Sequence, residues 1–262
     1  MTILQKIIEQ RAPDIETYDL RNFHFSPILN VRPLLYETLR EAKQLQVIAE
    51  IKRASPSKGD IAINVEPIKQ ATLYEKNGAA CISVLTEPHF FKGSYDDLHA
   101  VAKATSIPVL CKDFIVEYIQ IDIAKAAGAS VILLIVAALS KEKLQQLFDY
   151  ATSKKLEILV EVHTKEELMI AIEIGAKIIG INNRNLKTFN VSLAHTKEIA
   201  QYINRDDIVL ISESGIVTTD DAMFVADSGA KAILVGETLM RTNDVSKTMK
   251  SLQAPLLVGE KQ

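Results

Sequence analysis

Several charged side chains sit where charge is costly, inside or at the end of short apolar runs. In Val47-Ile48-Ala49-Glu50-Ile51-Lys52, a period of two puts Ile48, Glu50 and Lys52 on one face. Lys112 and Asp113 close a second run after Cys111, Glu161 lies inside a third that ends in His163, and Asn182, Asn183 and Arg184 end a fourth. Ser212, Glu213, Ser214 and Gly215 end another, and Gly236 and Glu237 follow Val235. Buried charges must be paired or hydrogen-bonded, so one reading of Glu50 with Lys52, and of Lys112 with Glu161, is a set of structural ion pairs. Lysines and carboxylates held close together also set proton donors and acceptors near neutral pH, which points to acid–base chemistry. Ser214-Gly215 and Gly236-Glu237 offer backbone N–H groups that an anion such as a phosphate can approach closely.

These groups need elements that bring them together. From residue 46 onward, β-rich apolar runs at 47–51, 80–85, 109–111, 131–136, 158–162, 177–181, 208–211 and 232–235 alternate with amphipathic stretches such as 67–76, 95–104, 141–154, 165–174 and 220–228. Eight strands separated by helical patterns predict repeated βα units around a parallel sheet covered on both faces. The pattern Gly-Ala-x-x-Ile begins at Gly78, Gly128, Gly175 and Gly229, roughly 50 residues apart, about two βα units. Each glycine ends a helical pattern, where a left-handed residue is favoured, and each isoleucine falls in the next strand. This favours an α/β (β/α)8 barrel over an open sheet, with the reacting groups gathered at the C-terminal ends of the strands. Residues 1–46 do not alternate. Ile3, Leu4, Ile7 and Ile8 form one helical face before Pro13, and Pro33 opens a second pattern through Leu35 and Leu39. We expect 1–46 to be a helical arm packed on a catalytic barrel spanning 47–262, because 46 residues make a poor core alone.

Composition narrows the classes further. The chain has 262 residues, 48% hydrophobic and 24% charged, with a formal charge of −3. That balance leaves no electrostatic footprint for nucleic acid or a membrane surface. The longest apolar run, 131–139, is far shorter than the about 18 residues a span needs, and Lys6, Glu9 and Arg11 interrupt any secretory signal. Cys81 and Cys111 form no CxxC, so a reducing, cytoplasmic setting is expected. His24, His89, His99, His163 and His195 have no metal-ligand spacing, and His163 is expected to be a neutral, hydrogen-bonded strand-end histidine. GxGxxG, Walker and GxSxG motifs are absent.

The segment Val47-Ile-Ala-Glu-Ile-Lys-Arg-Ala-Ser-Pro-Ser-Lys-Gly-Asp60 resembles the first-strand signature of the indole-3-glycerol phosphate synthase family. Leu85-Thr-Glu-Pro-His-Phe-Phe-Lys-Gly-Ser94, Cys111-Lys-Asp-Phe-Ile115, Gly180-Ile-Asn-Asn-Arg-Asn-Leu186 and Ser212-Glu-Ser-Gly-Ile216 carry the likeness on through about residue 242, in order. The resemblance implies a (β/α)8 barrel that closes 1-(2-carboxyphenylamino)-1-deoxyribulose 5-phosphate to indole-3-glycerol phosphate in tryptophan biosynthesis, without metal or organic cofactor. It implies Lys112 and Lys52 as acids, with the steps open between them, and Glu161 as base. Glu50 matches a carboxylate that orients or reprotonates a lysine, Asn182 a substrate-orienting residue, and Ser214 an active-site residue beside the phosphate. Phe90 and Phe114 correspond to walls for the anthranilate ring and Arg184 to a supporting charge, and Ser55, Glu213, Gly215, Gly236 and Glu237 to further substrate contacts. Glu237 departs from relatives with serine there; a carboxylate turned inward repels a phosphate, so its side chain is expected to point away. The partner implied is a small phosphorylated substrate, with a monomer expected and an oligomer left open. The alternatives are another phosphate-binding barrel, such as a phosphoribosylanthranilate isomerase or an epimerase, and a non-catalytic phosphate-binding barrel. An epimerase usually wants metal ligands, an isomerase does not need two strand-end lysines, and a non-catalytic barrel would have lost some of the charged set.

Overall fold

Eight near-continuous apolar runs form eight parallel strands in a computed structural model that describes residues 2–256. They are β1 (Gln46–Ile51), β2 (Cys81–Leu85), β3 (Val109–Lys112), β4 (Val131–Ile135), β5 (Glu157–Val162), β6 (Ile178–Asn182), β7 (Val209–Glu213) and β8 (Ala232–Val235). Each pairs in parallel with its sequence neighbour, and β1 closes the ring on β8 through Gln46↔Ala232 to Ala49↔Val235. All eight expected strands are present, with ends shifted by at most two residues. Gly78, Gly128, Gly175 and Gly229 all have positive φ, as their shared place before a strand requires.

Two packed layers follow from the strand period. Side chains such as Ala49, Ile82, Val160 and Ile233 point outward into the shell of helices, while Ile48, Leu110, Leu133, Leu159, Ile178, Ile211 and Leu234 fill the barrel. Two residues further along, the same inward faces present Glu50, Lys112, Ile135, Glu161, Gly180, Glu213 and Gly236. The charged layer therefore rests directly on an apolar plug, and its polar side chains face the mouth.

The N-terminal segment closes both ends. Helix α1 (Ile3–Glu16) starts at a Thr2–Gln5 capping box and buries Leu4, Ile7, Arg11 and Ile15. It runs through Pro13 instead of ending before it. Pro13 and Glu9, whose carbonyl loses its amide partner, are both exposed, so water can serve that carbonyl while Ile15 remains buried. Helix α2 (Leu35–Arg40) begins two residues after Pro33; its Leu35 and Tyr36 amides donate to the Glu157 carboxylate at 2.6 and 2.7 Å. Leu35 and Leu39 then seal the far end of the barrel interior, while Leu4 of α1 joins the same apolar cluster from the mouth. The final six residues of the expected 47–262 barrel segment lie outside the described residues.

The outer helices are α3 (Pro67–Lys76), α4 (Tyr95–Ala104), α5 (Tyr118–Ala126), α6 (Lys141–Ser153), α7 (Lys165–Glu173), α8 (Ala194–Ala200), α9 (Thr219–Asp227), α10 (Glu237–Arg241) and α11 (Val245–Leu252). Ala54–Ser55 and Gly59–Asp60 make a short hairpin over the mouth.

Candidate active site

The charged layer forms a network. Lys112 Nζ lies 2.5 Å from Glu213 Oε2 and 3.5 Å from Glu161 Oε2, and Lys52 Nζ lies 2.6 Å from Glu50 Oε1. Asn182 Nδ2 donates to Glu161 Oε1 at 3.1 Å, and the Arg184 amide fixes the Asn182 amide group by donating to Oδ1. Burial alone pushes the Lys112 ammonium down, but Glu213, Glu161 and Glu50 outweigh it and hold the group above the ordinary lysine range. The same surroundings split the carboxylates. Burial raises both, yet Lys112, His163 and Asn182 bring Glu161 below its ordinary value, while Glu213, facing Glu161 and Glu50, stays above it. Environments that drive two neighbouring carboxyls apart in this way separate a base from an acid.

The geometry depends on two absent side chains. A Cβ on Gly180 would fall 2.1 Å from Glu213 Oε1, and one on Gly236 would fall 2.6 Å from Glu50 Oε1 and 3.0 Å from Lys52 Nζ. β6 and β8 thus leave room for the carboxylates of their neighbours. After β7 the chain turns through Ser214 at φ 69° and Gly215 at φ 91°. A left-handed serine is strained, and Asn183 stabilises the turn by donating from Nδ2 to the Ser214 carbonyl at 3.0 Å.

These residues line a cavity of ≈ 880 Å³ at the C-terminal ends of the strands. Glu50, Lys52, Ser55, Lys112, Phe114, Glu161, Asn182, Arg184, Glu213, Ser214, Gly215, Gly236 and Glu237 all border it. Phe90 does not. Its neighbour Phe91 does, with its ring centroid 5.8 Å from that of Phe114. The reason is the turn: the Glu87 carboxylate gathers the amides of His89, Phe90 and Phe91, which sets Phe91 and not Phe90 toward the mouth.

The family model of indole-3-glycerol phosphate synthase matches residues 4–252. The chain belongs to the indole-3-glycerol phosphate synthase family. An indole-3-glycerol phosphate synthase of Oceanobacillus iheyensis is 51% identical over 258 residues, covering 98% of both chains. One of Bacillus mycoides is 49% identical over 246 residues, covering 94% of this chain and 95% of that one. Among solved structures, the thiamine phosphate pyrophosphorylase of Pyrococcus furiosus superposes with a TM-score of 0.59 at 21% identity, over 82% of this chain and 95% of that one, a likeness of fold.

Beyond the family signature, the cavity has walls that the strand patterns did not reveal. Ile3, Leu4 and Ile7 of α1 border it, as do Lys58 of the hairpin turn, Leu186 and Phe189 after β6, and Arg241 of α10. Lys58 stood within the first-strand signature, whereas the arm residues gave only a helical apolar face. Glu237 borders the cavity, and its carboxylate is turned to two neighbouring cations. It is held 3.6 Å from Lys58 and 3.1 Å from Arg241 Nε, which offsets its charge. Arg184 Nη1 donates to the Phe189 carbonyl at 3.4 Å.

Proposed function

We propose that this chain converts 1-(2-carboxyphenylamino)-1-deoxyribulose 5-phosphate into indole-3-glycerol phosphate, CO₂ and water, the reaction its family carries out in tryptophan biosynthesis. One observation carries the reading: Lys112, charged and clamped between a lowered and a raised carboxyl, stands beside a second lysine–carboxylate pair in one cavity. Ring closure needs a proton at the ribulose carbonyl oxygen as the ring carbon bearing the carboxylate attacks the carbonyl carbon. Loss of CO₂ restores the ring electrons. Dehydration then needs an acid for the departing hydroxyl and a base for a proton. Lys112 and Lys52 supply the two acids and the ionised Glu161 the base. Asn182 orients Glu161, and Glu50 holds and reprotonates Lys52. Phe114, with Phe91 in place of Phe90, and the apolar face of α1 enclose the anthranilate ring; Arg184 supports its carboxylate. The phosphate end lies at Ser55, Ser214, the amides of Gly215 and Gly236, and the cations Lys58 and Arg241.

Among the described residues no helix is long and apolar enough to cross a membrane, and Cys81 and Cys111 are buried and unbridged, in keeping with a reducing cytoplasm.

Purified protein given the carboxyphenylamino substrate should produce indole absorbance and one equivalent of CO₂. Absence of both would overturn the assignment. Lys112→Ala should keep the fold and lower kcat by roughly 10²–10⁴; activity within about threefold of the unmodified protein removes Lys112 from the chemistry.

A further inference from the structure

His163 follows β5 with its side chain 11% exposed, and its surroundings differ from those of a neutral, hydrogen-bonded histidine. Nε2 lies 3.5 Å from Glu161 Oε1 and Nδ1 lies 3.5 Å from Glu167 Oε2. Neither nitrogen makes a hydrogen bond among the described residues, and both are shielded from solvent. Ionised carboxylates only accept hydrogen bonds, so a neutral imidazole can serve one of the two, and only the doubly protonated ring can serve both. The backbone that carries the ring is held on both sides. The His163 amide donates to Glu167 Oε2 at 2.6 Å, and its carbonyl accepts from His195 Nε2 at 2.7 Å.

The two oxygens of Glu161 have different neighbours. Oε2 faces Lys112, whereas Oε1 accepts from Asn182 and faces His163. A cation on the Oε1 side therefore steadies the carboxylate from behind. The titratable groups facing the ring are Glu161 on β5, Glu167 on α7 and Glu213 across the mouth on β7, with Lys112 beyond Glu161; His195 on α8 meets the His163 carbonyl. Burial opposes a charged ring, but Glu167, Glu161 and Glu213 together lift the imidazole above its ordinary range.

We propose that His163 is a positioning residue whose imidazolium, anchored from outside by Glu167, holds Glu161 as an oriented carboxylate ready to accept the substrate proton. The inference rests on Glu161 being the base. Its consequence is confined to acid pH. With the cation present, Glu161 stays ionised further down the pH scale; without it, Glu161 takes up a proton sooner and is lost as a base earlier.

His163→Asn keeps a small polar side chain and removes the charge. Its kcat should remain within about twofold of the unmodified protein at pH 8.5, and fall roughly tenfold relative to it at pH values well below both acid-limb midpoints, as the acid limb of the kcat profile moves up by about one unit. KM should change by less than about twofold. Glu167→Gln, which leaves the ring in place, should move the limb the same way by a smaller amount. In protein carrying ¹⁵N-labelled histidine, His163 should titrate above the ordinary imidazole range, and both Glu167→Gln and Glu161→Gln should lower its titration midpoint. A pH profile for His163→Asn that superimposes on the unmodified one after scaling overturns the proposal, as does a His163 titration midpoint no higher than that of an ordinary imidazole in the unmodified protein. If His163→Asn does not fold, Glu167→Gln and the titration decide. A failure of the underlying base assignment has another mark: Glu161→Gln would itself retain activity within about threefold.

Discussion

At the scale of single residues, the candidate site depends on glycines that leave room for charged side chains of the same layer. Glu161 and Glu213 lie on strands separated by β6, and β6 contributes Gly180 to the layer between them. The space above Gly180 is occupied by the Glu213 carboxylate, which holds Lys112 at 2.5 Å. Gly180→Ala is thus predicted to act through Glu213. The intruding methyl meets the end of the Glu213 side chain, which borders the cavity and can swing into it, and also presses on the buried Leu159 Cδ1 at 3.1 Å, so the cost to stability should stay below about 3 kcal/mol. Swinging aside, however, separates Glu213 from Lys112. A displacement of about an ångström in a catalytic group can cost up to 10²-fold, so kcat should fall at least roughly tenfold with the fold intact. Steady-state kinetics together with thermal unfolding check this, and a normal kcat would show that the Glu213–Lys112 contact is dispensable. Sequence alone pointed to Lys112, Glu161 and Glu213, because charge inside an apolar run is conspicuous. Gly180 carried no such mark: its importance lies in a neighbour's side chain, about 30 residues away in sequence, entering its empty space.

At the scale of elements, the strands were the legible part, because period-two patterns and the recurring Gly-Ala-x-x-Ile report local geometry. The arm was only half legible. Its apolar positions announced a helix, but not which end of the barrel it would cover or that it would wall the cavity. That placement rests on Arg11, fully buried on α1, whose Nη2 lies 2.9 Å from Asp113 Oδ2 just beyond Lys112. Asp113 also accepts from Thr86 at 2.8 Å, from Tyr95 at 2.9 Å and from the Phe114 amide at 2.8 Å. No periodicity joins residues 102 positions apart. The ion pair ties the arm to the end of β3, the strand that carries Lys112, and removing one partner leaves a charge buried without its counterion. Arg11→Met should therefore cost about 3–5 kcal/mol of stability and also lower kcat, since Lys112 precedes Asp113 in the chain. Adding Asp113→Asn should recover part of the loss, because the remaining carboxamide carries no charge to strand. Urea unfolding of the single and double variants measures the coupling, and an unfolding midpoint for Arg11→Met equal to the unmodified one would rule out the latch.

At the scale of the whole molecule, a phosphorylated ligand would join parts of the barrel that are distant in sequence. Lys58 lies after β1, Ser214 and Gly215 after β7, and Gly236 and Arg241 after β8, so the proposed phosphate end spans the seam where β1 closes on β8. Binding there should stabilise the closed ring by mass action. At a free concentration of 100 times Kd, a ligand adds about 2.7 kcal/mol, which for a chain of this length raises Tm by roughly 5–10 °C. Glu237 works against that gain, because its carboxylate already engages both cations and carries the same sign as the phosphate. All three side chains are a third or more exposed, so solvent weakens the competition, which should amount to no more than about 1 kcal/mol. Glu237→Gln is accordingly predicted to bind a non-reacting substrate analogue, one with the ribulose carbonyl reduced to an alcohol, about two- to fivefold more tightly. The same change should leave the Tm of the free protein nearly unaltered, since two exposed ion pairs contribute little to folding. Calorimetric titration and thermal unfolding with and without the analogue separate the two effects. Weaker binding by Glu237→Gln would mean that Glu237 positions Lys58 and Arg241 for the phosphate instead of competing with it.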